Sequence, residues 1–319
     1  MFYLVSFFVL LALGFHLYRN HVTHRDLARV NVVSFDGEVF HVGRGGVAKR
    51  RMDLDAKAGP VQTVVCMPGF LEDMRYFLEL YKEADVELIL VNSADYHLPF
   101  ATTHAKSVDW GDNNPYPTST IEYDAHIVAC AVKHLATTDN LIFHGHSRGG
   151  AVMLELGKQE PGLVKNAKVV LEAPALPQGR LSGGGEKNFK RVGAYFMPLV
   201  FSHNRNISNA ALNKMPMMKP PSALKTELIR GLFCAPKNYQ IALKNIHNII
   251  EWQGRNQKDL YENFEEISVV VGERDHVLSR RAMIASANMS SRVNVVETKG
   301  TNHFISLEKP NYILDAAGL

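Results

Sequence analysis

The chain has 319 residues, of which 46% are hydrophobic and 21% charged, and its formal net charge is +3. This is the composition of an ordinary globular protein, long enough for two domains or for one α/β core with an insertion. The small net charge gives no indication of nucleic-acid binding. Three widely spaced cysteines (Cys66, Cys130 and Cys234) form neither a disulfide framework nor a zinc pattern.

The N-terminal segment differs from the rest of the chain. Residues 1–18 contain no Lys, Arg, Asp or Glu, and a helix of this length spans about 27 Å, enough for the core of a bilayer. Positive residues follow this segment, from Arg19 onwards, instead of preceding it. The pattern therefore favours an uncleaved transmembrane anchor over 1–18 and a basic juxtamembrane linker over 19–29, with the remaining chain on the cytoplasmic side. A signal peptide cleaved after Gly14, with export of the mature protein, is the alternative.

The next 90 residues show strand and helix patterns in alternation. Asp36-Gly37 between two apolar runs, Val30–Phe35 and Glu38–Val42, predicts a β-hairpin. Further along, the patterns predict buried strands at Gln62–Met67 and Val86–Val91, a helix at Met74–Ala84, an irregular stretch from Asn92 to Thr118, and a helix opened by the capping box Ser119–Glu122.

The most specific local pattern is Gly145-His-Ser-Arg-Gly149. It lies between a predicted strand, Leu141–His146, and a predicted helix, Gly149–Leu156. The pattern G-x-S-x-G between a strand and a helix predicts a nucleophile elbow, a tight turn that exposes the serine at the top of a sheet. Ser147 is therefore the candidate nucleophile.

After the predicted strand Lys168–Leu171, the alternation breaks and later resumes. Residues 175–266 contain helical patterns and no convincing strand, whereas strands at Ile267–Val271 and Val293–Val296 and a helix from Pro310 follow them. The sequence thus predicts an α/β core over 30–174 and 267–319, with a mainly parallel sheet flanked by helices, and a helical cap over 175–266. The apolar cluster around Met215–Met218 either lines an acyl-binding surface or packs the cap on the core.

Two residues beyond Ser147 follow predicted strands at the carboxyl edge of the sheet. Asp275 comes directly after the strand Ile267–Val271, and His303 lies in the loop after Val293–Val296. A serine nucleophile needs a base to take its proton and an acid to orient that base. His303 and Asp275 are the candidates, and Glu273 and Glu172 are alternative acids. His146 and His276, which flank these positions, are assigned no role.

The order Ser147, Asp275, His303, with the segments Gly272–Asp275 and Gly300–Pro310, resembles the α/β-hydrolase fold family over about 250 residues. The resemblance implies an oxyanion hole made by the backbone N–H groups of Arg148 and Phe70. The family commonly has His-Gly before the second donor, whereas this chain has Pro68-Gly69. The Arg148 guanidinium either forms a structural ion pair, which we favour, or binds a substrate carboxylate.

The resemblance implies a serine hydrolase that cleaves carboxylic esters through an acyl-enzyme, without a cofactor or metal. The apolar N-terminus and the cap favour lipophilic acyl esters, and we expect membrane association through 1–18. The same triad can act on amide, thioester or carbon–carbon bonds, or in perhydrolysis, because fold does not determine chemistry. A non-catalytic binding protein with this fold is the third alternative.

Overall fold

The computed structural model describes residues 2–23, 32–50, 62–101, 105–183, 195–196, 199, 208–231 and 236–319. Within these residues, one sheet of nine strands runs through the protein. The strands are β1 (Gly37–Val42), β2 (Gly45–Arg50), β3 (Thr63–Met67), β4 (Glu87–Asn92), β5 (Lys106–Val108), β6 (Leu141–His146), β7 (Lys168–Glu172), β8 (Ile267–Val271) and β9 (Val293–Glu297). Their order across the sheet is β5-β1-β2-β4-β3-β6-β7-β8-β9.

The sheet is mainly parallel. The six strands from β4 to β9 in that spatial order pair in parallel, whereas β2 is antiparallel to both β1 and β4. All residues of β3, β4 and β6 are buried. This is expected of parallel strands covered on both faces, and it explains why they are short apolar runs in the sequence.

The described residues also form α-helices, of which all but the first belong to the sheet domain or its insertion. They are α1 (Phe2–Thr23), α2 (Ile121–Leu135), α3 (Arg148–Gln159), α4 (Pro161–Val164), α5 (Asn209–Leu212), α6 (Ala223–Gly231), α7 (Pro236–Arg255), α8 (Arg280–Ala287), α9 (Ile305–Glu308) and α10 (Asn311–Ala317). Short 3-10 helices cover Met74–Phe77, Pro216–Met218 and Lys258–Asn263.

The two faces of the sheet bury two separate apolar clusters. Along β3, Val65 and Met67 belong to the cluster shared with α2 and α3, whereas Val64 and Cys66 belong to the cluster shared with Tyr76 and α10. Successive strand residues point to opposite faces, so one short strand contributes to both cores. Because β3, β6, β7, β8 and β9 pair in parallel, their carboxyl ends lie on the same side of the sheet.

In the described part of the segment between β7 and β8, the regular elements are helices, and Leu181 forms an isolated bridge with Leu278. The second half of this segment belongs to the core, because Ile249 and Trp252 of α7 lie in the same cluster as α2 and α3. Trp252 Nε1 donates to Glu155 Oε2 at 2.9 Å, which ties α7 to α3. The helical block 175–266 thus contains a segment that packs on the sheet domain itself.

Three local predictions are wrong. The hairpin joins β1 to β2 around Gly43, where φ is +54°, and Gly37 instead begins β1 opposite Arg50. Val33 forms a parallel bridge with Phe100, so the Val30–Phe35 run is not the partner of β1. The helix expected at Met74–Ala84 is a 3-10 helix over Met74–Phe77 followed by turns, and the stretch 92–118 contains β5. In each case a contact distant in sequence outweighs the local pattern.

The helix α1 extends past the apolar segment as far as Thr23. Its Tyr3–Val22 part is long and apolar enough to cross a membrane, and most of its side chains are exposed; a signal sequence passes the same test. At its second half, Arg19 Nε donates to the Tyr195 carbonyl at 2.8 Å, and the Phe15 and Phe196 rings lie 5.8 Å apart. Residues 24–31, most of the expected basic linker, lie outside the described residues.

Candidate active site

Ser147 occupies a tight turn between β6 and α3. Its backbone has φ 51° and ψ −116°, a conformation that costs free energy for a residue with a side chain and that marks functional sites. A Cβ at Gly145 would lie 2.5 Å from the Gly149 carbonyl oxygen, and a Cβ at Gly149 would overlap the Met67 carbonyl oxygen. Only glycine fits at these positions. The two glycines of the sequence pattern are therefore needed for the turn that holds the strained serine.

Ser147, His303 and Asp275 form a continuous hydrogen-bonded chain. His303 Nδ1 lies 2.8 Å from Asp275 Oδ2, and His303 Nε2 lies 3.0 Å from Ser147 Oγ. A carboxylate only accepts hydrogen bonds, so Nδ1 carries the proton and Nε2 of the neutral ring accepts from the serine hydroxyl. The structure brings together the three residues that the sequence selects.

Asp275 is held in its ionised form. Its Oδ1 accepts from the backbone N–H groups of Val277 and Leu278 at 2.7 and 2.8 Å. Burial opposes ionisation, but the His303 ring and these two amides outweigh it and hold the pKa of Asp275 below its usual value. The alternative acid Glu273 instead accepts from the Gly300 N–H.

The loop after β3 approaches Ser147 closely. A Cβ at Gly69 would lie 2.8 Å from the Ser147 Cβ, so Pro68-Gly69-Phe70 runs beside the serine. In the described part of the chain, neither the Phe70 nor the Arg148 amide donates to another residue. Both expected oxyanion donors thus lie on segments next to Ser147.

The Arg148 side chain points away from the serine into the core. Its Nη1 donates to Asp124 Oδ2 at 2.6 Å and to Ser93 Oγ at 3.1 Å, and the side chain is fully buried. This is the structural ion pair that the sequence analysis favoured.

Sequence reasoning missed a buried ion pair behind His303. His146 Nδ1 lies 2.6 Å from Glu72 Oε2, and His146 Nε2 lies 3.0 Å from the His303 carbonyl oxygen. Glu72 Oε2 also accepts from the Gly69 N–H at 2.9 Å. Burial favours the neutral ring, but the carboxylates of Glu72 and Glu172 outweigh it and raise the pKa of His146 to about 9. No motif in a single sequence links residues 72 and 146.

Glu172, the other alternative acid, belongs to a separate buried network. It accepts from the Tyr76 hydroxyl, from the Ser306 N–H and from the Ser306 hydroxyl, each at 2.6 Å, and faces His144 Nε2 at 3.0 Å. Burial raises its pKa, but the positive His146, the His144 ring and the Ser306 hydroxyl outweigh the burial and bring the pKa to about 2. Glu172 therefore supports the start of α9 and does not orient His303.

Glu72, His146 and His303 have ligand-type atoms within 4.8 Å of one another. In this structure their polar atoms form hydrogen bonds with one another and with Ser147, Asp275, Gly69 and the His303 carbonyl oxygen. The cluster is thus part of a hydrogen-bonded network.

No family model matches the chain, and no curated protein matches it. Solved structures do. A thermophilic esterase from Thermogutta terrifontis matches with a TM-score of 0.58 at 17% identity, covering 92% of this chain and 96% of its own. The enol-lactonase from Burkholderia xenovorans LB400 matches with a TM-score of 0.59 at 14% identity, covering 88% and 100%. E-2-(acetamidomethylene)succinate hydrolase matches with a TM-score of 0.57 at 15% identity, covering 88% and 97%.

These matches and the observed sheet show that the chain has the α/β-hydrolase fold, as the sequence resemblance implies. At such low identity, the likeness shows the fold alone, so the chemistry rests on the arrangement around Ser147.

Proposed function

Since the chain has the α/β-hydrolase fold, we propose that it is a serine hydrolase that cleaves carboxylic esters through an acyl-enzyme. The observation that carries the proposal is the chain of hydrogen bonds from Ser147 Oγ through His303 to Asp275, at 3.0 and 2.8 Å. It begins at a serine in the strained backbone conformation of a nucleophile elbow.

In this proposal each group has a role. Ser147 Oγ attacks the ester carbonyl carbon while His303 Nε2 takes its proton, and Asp275 holds the ring and stabilises the imidazolium that forms. The oxyanion accepts hydrogen bonds from the Arg148 and Phe70 N–H groups, each worth about 3–4 kcal/mol of barrier. His303 then protonates the leaving alcohol, and a water activated by the same nitrogen releases the acid and regenerates the serine.

We propose that the segment around α5 and α6 caps the site. Asn302, next to His303, donates through Nδ2 to the Pro216 carbonyl at 2.7 Å, so this segment lies against the loop that carries the base. Met218 is buried in the core cluster, and Met215 and Met217 pack against it. Those methionines therefore hold the cap on the core.

We propose that α1 anchors the protein in a membrane and that the substrate is a lipophilic acyl ester. The exposed apolar side chains of Tyr3–Val22 support the anchor, because such a surface is stable in lipid. An enzyme anchored there meets lipophilic esters, which supports the substrate class. The positive residues after the apolar segment support a cytoplasmic catalytic domain. Protease protection in sealed vesicles tests the orientation, and resistance of the C-terminal domain in inside-out vesicles contradicts it.

The experiment that tests the hydrolase proposal is labelling of the full chain by a fluorophosphonate, together with turnover of p-nitrophenyl esters from acetate to palmitate. We expect wild-type protein to be labelled and Ser147→Ala to lose both labelling and turnover. Ser182→Ala, a change of an exposed serine in the same chain, should retain both. Turnover by Ser147→Ala equal to wild type would exclude this mechanism. Faster cleavage of matched amides or thioesters than of esters would assign the triad to those bonds.

A further inference from the structure

Behind His303 lies a buried charged group that the hydrolytic steps above do not use. The His146 ring has no exposed surface and Glu72 is 2% exposed, and the ring lies parallel to Tyr76 with centroids 4.4 Å apart. Burying two ionisable groups costs several kcal/mol per ion unless both are paired and hydrogen-bonded. Such a pair next to a reacting group therefore calls for a physical role.

Both ring nitrogens of His146 face groups that only accept hydrogen bonds. Nδ1 faces the Glu72 carboxylate at 2.6 Å, and Nε2 faces the His303 carbonyl oxygen at 3.0 Å. A neutral imidazole has one N–H and can satisfy only one of these acceptors, whereas an imidazolium satisfies both. The geometry therefore matches a positively charged His146 paired with a negatively charged Glu72.

The pair connects the two segments that act on the substrate carbonyl in the proposed function. Glu72 accepts from the Gly69 N–H at 2.9 Å, one residue before the oxyanion donor Phe70. His146 donates to the backbone carbonyl of His303, the base. Both links attach to backbone, so the pair acts on the position of the oxyanion loop relative to the His303 ring.

We propose that Glu72 and His146 are positioning residues. They fix the oxyanion loop, residues 68–70, relative to His303 beside Ser147. This inference rests on the proposed function. Misplacing a reacting group by about 1 Å costs about 100-fold in rate, and a shifted loop weakens binding of the transition state more than binding of the ester. Loss of the pair should thus lower kcat and leave KM nearly unchanged.

The test compares Glu72→Gln with Glu87→Gln. Glutamine at 72 preserves size and an acceptor for Gly69 but removes the charge that pairs with His146. Glu87 is also a buried carboxylate with several partners, among them Lys49 at 2.7 Å, but it begins β4 at the opposite end of the sheet. Glu87→Gln therefore measures the effect of neutralising a buried carboxylate away from Ser147.

We expect Glu72→Gln to lower kcat about 10- to 100-fold with KM within about two-fold. It should also weaken binding of a boronic acid, which mimics the tetrahedral intermediate, by a similar factor. Glu87→Gln should change neither. A wild-type kcat in Glu72→Gln, or an equal loss in Glu87→Gln, overturns the proposal. A double change with His146→Phe should cost no more than the larger single change, because two residues acting as one unit are not additive.

A measurement without substrate separates this inference from the hydrolase proposal. Nitrogen-15 NMR of the wild-type histidine rings at pH 7.5 should show His146 protonated at both nitrogens, and Glu72→Gln should convert it to a neutral ring. A neutral His146 in wild type overturns the ion pair even if the esters are cleaved. A charged His146 in a protein that the fluorophosphonate does not label removes the hydrolase proposal, and the positioning role with it.

Discussion

At the scale of single residues, the elbow depends on the absence of side chains around Ser147. The serine has a positive φ, and the backbone of β3 lies directly against Gly149. The close approach brings the loop after β3 beside the serine, where Phe70 is placed. A side chain at Gly149 must therefore push apart the two segments that build the site.

We expect Gly149→Ala to destabilise the protein by about 1–3 kcal/mol or more, since its methyl group overlaps the Met67 carbonyl oxygen. Fluorophosphonate labelling of the remaining folded protein should also slow. Urea unfolding and labelling rates measure the two effects. Gly254→Ala in α7 is the matched control, because a Cβ there meets nothing within 4 Å. That control should gain stability, by up to about 1 kcal/mol, and an equal loss in both variants would contradict the steric argument.

His146 also makes stability depend on pH. Its pKa rises from 6.5 to about 9 in the folded protein, so the folded state binds the proton more tightly than the unfolded state. The stabilisation is fully present below pH 6.5 and is lost as the pH rises through 9, a difference of roughly 3 kcal/mol. The titratable groups that interact with the ring are Glu72, Glu172, His144, His303 and Tyr76.

The expected result is a steeper loss of stability between pH 6.5 and 9.5 in wild type than in the double variant Glu72→Gln/His146→Phe. The double change removes both members of the pair, so neither titrates in the variant. Urea unfolding at the two pH values measures the difference. Parallel curves for the two proteins would mean that His146 is neutral in the folded state.

At the scale of elements, the central strands β6 and β8 could be predicted because they are buried apolar runs. Their ranges agree with the sequence prediction to the residue, and Asp275 follows β8, whereas His303 follows β9, an edge strand that is partly exposed. The helix expected from Met74 did not form beyond Phe77, since its apolar residues pack into the sheet's second cluster instead of forming one helical face. The periodicity of the local sequence does not predict that tertiary contact.

Ser147 directly follows β6, and Asp275 and His303 lie in the loops after β8 and β9, positions that sequence patterns locate. Glu72 contacts His146 only because the loop after β3 folds against the end of β6, 74 residues later. The N-cap of α2 is Thr120, one residue after the Ser119 of the predicted capping box, because a positive φ at Ser119 begins the helix later.

The cap segment around α5 and α6 is held to the core by a buried ion pair between two helices. Lys225 of α6 donates to Glu308 of α9 at 2.6 Å and to the Pro220 carbonyl at 2.8 Å, and the pair is almost fully buried. Burial lowers the pKa of Lys225, although Glu308 favours its charged form. Glu308 also accepts from the Asn302 N–H, so the pair connects the insertion with the His303 loop.

We expect Lys225→Met to destabilise the protein by about 3–5 kcal/mol, because it leaves Glu308 charged and buried without its partner. The double change Lys225→Met/Glu308→Gln should recover much of this loss, since no unpaired charge remains. Lys133→Met removes a similar pair with Glu160, but that pair is partly exposed and should cost at most about 1 kcal/mol. Urea unfolding distinguishes the variants, and equal effects of Lys225→Met and Lys133→Met would contradict the buried-charge argument.

At the scale of the whole molecule, α1 and the sheet domain are built for different surroundings. The apolar side chains of Tyr3–Val22 are exposed, whereas the apolar residues of the sheet domain fill two clusters. In the described residues, α1 contacts the rest of the chain through the Tyr195–Phe196 segment. Within the described part of the chain, the hydrogen bonds among Ser147, His303 and Asp275 involve no residue of α1, so the sheet domain should fold without it.

Removal of residues 1–29 should therefore give a protein that stays in the aqueous phase of a detergent partition and retains fluorophosphonate labelling. Full-length protein should enter the detergent phase and resist carbonate extraction from membranes, because α1 transfers about twenty mostly apolar residues into lipid. Turnover of p-nitrophenyl acetate should be similar for both proteins, whereas turnover of a long-chain ester held in vesicles should fall in the truncated form. A mature N-terminus at residue 15 would show that the segment is a cleaved signal peptide, and the anchor proposal would be withdrawn.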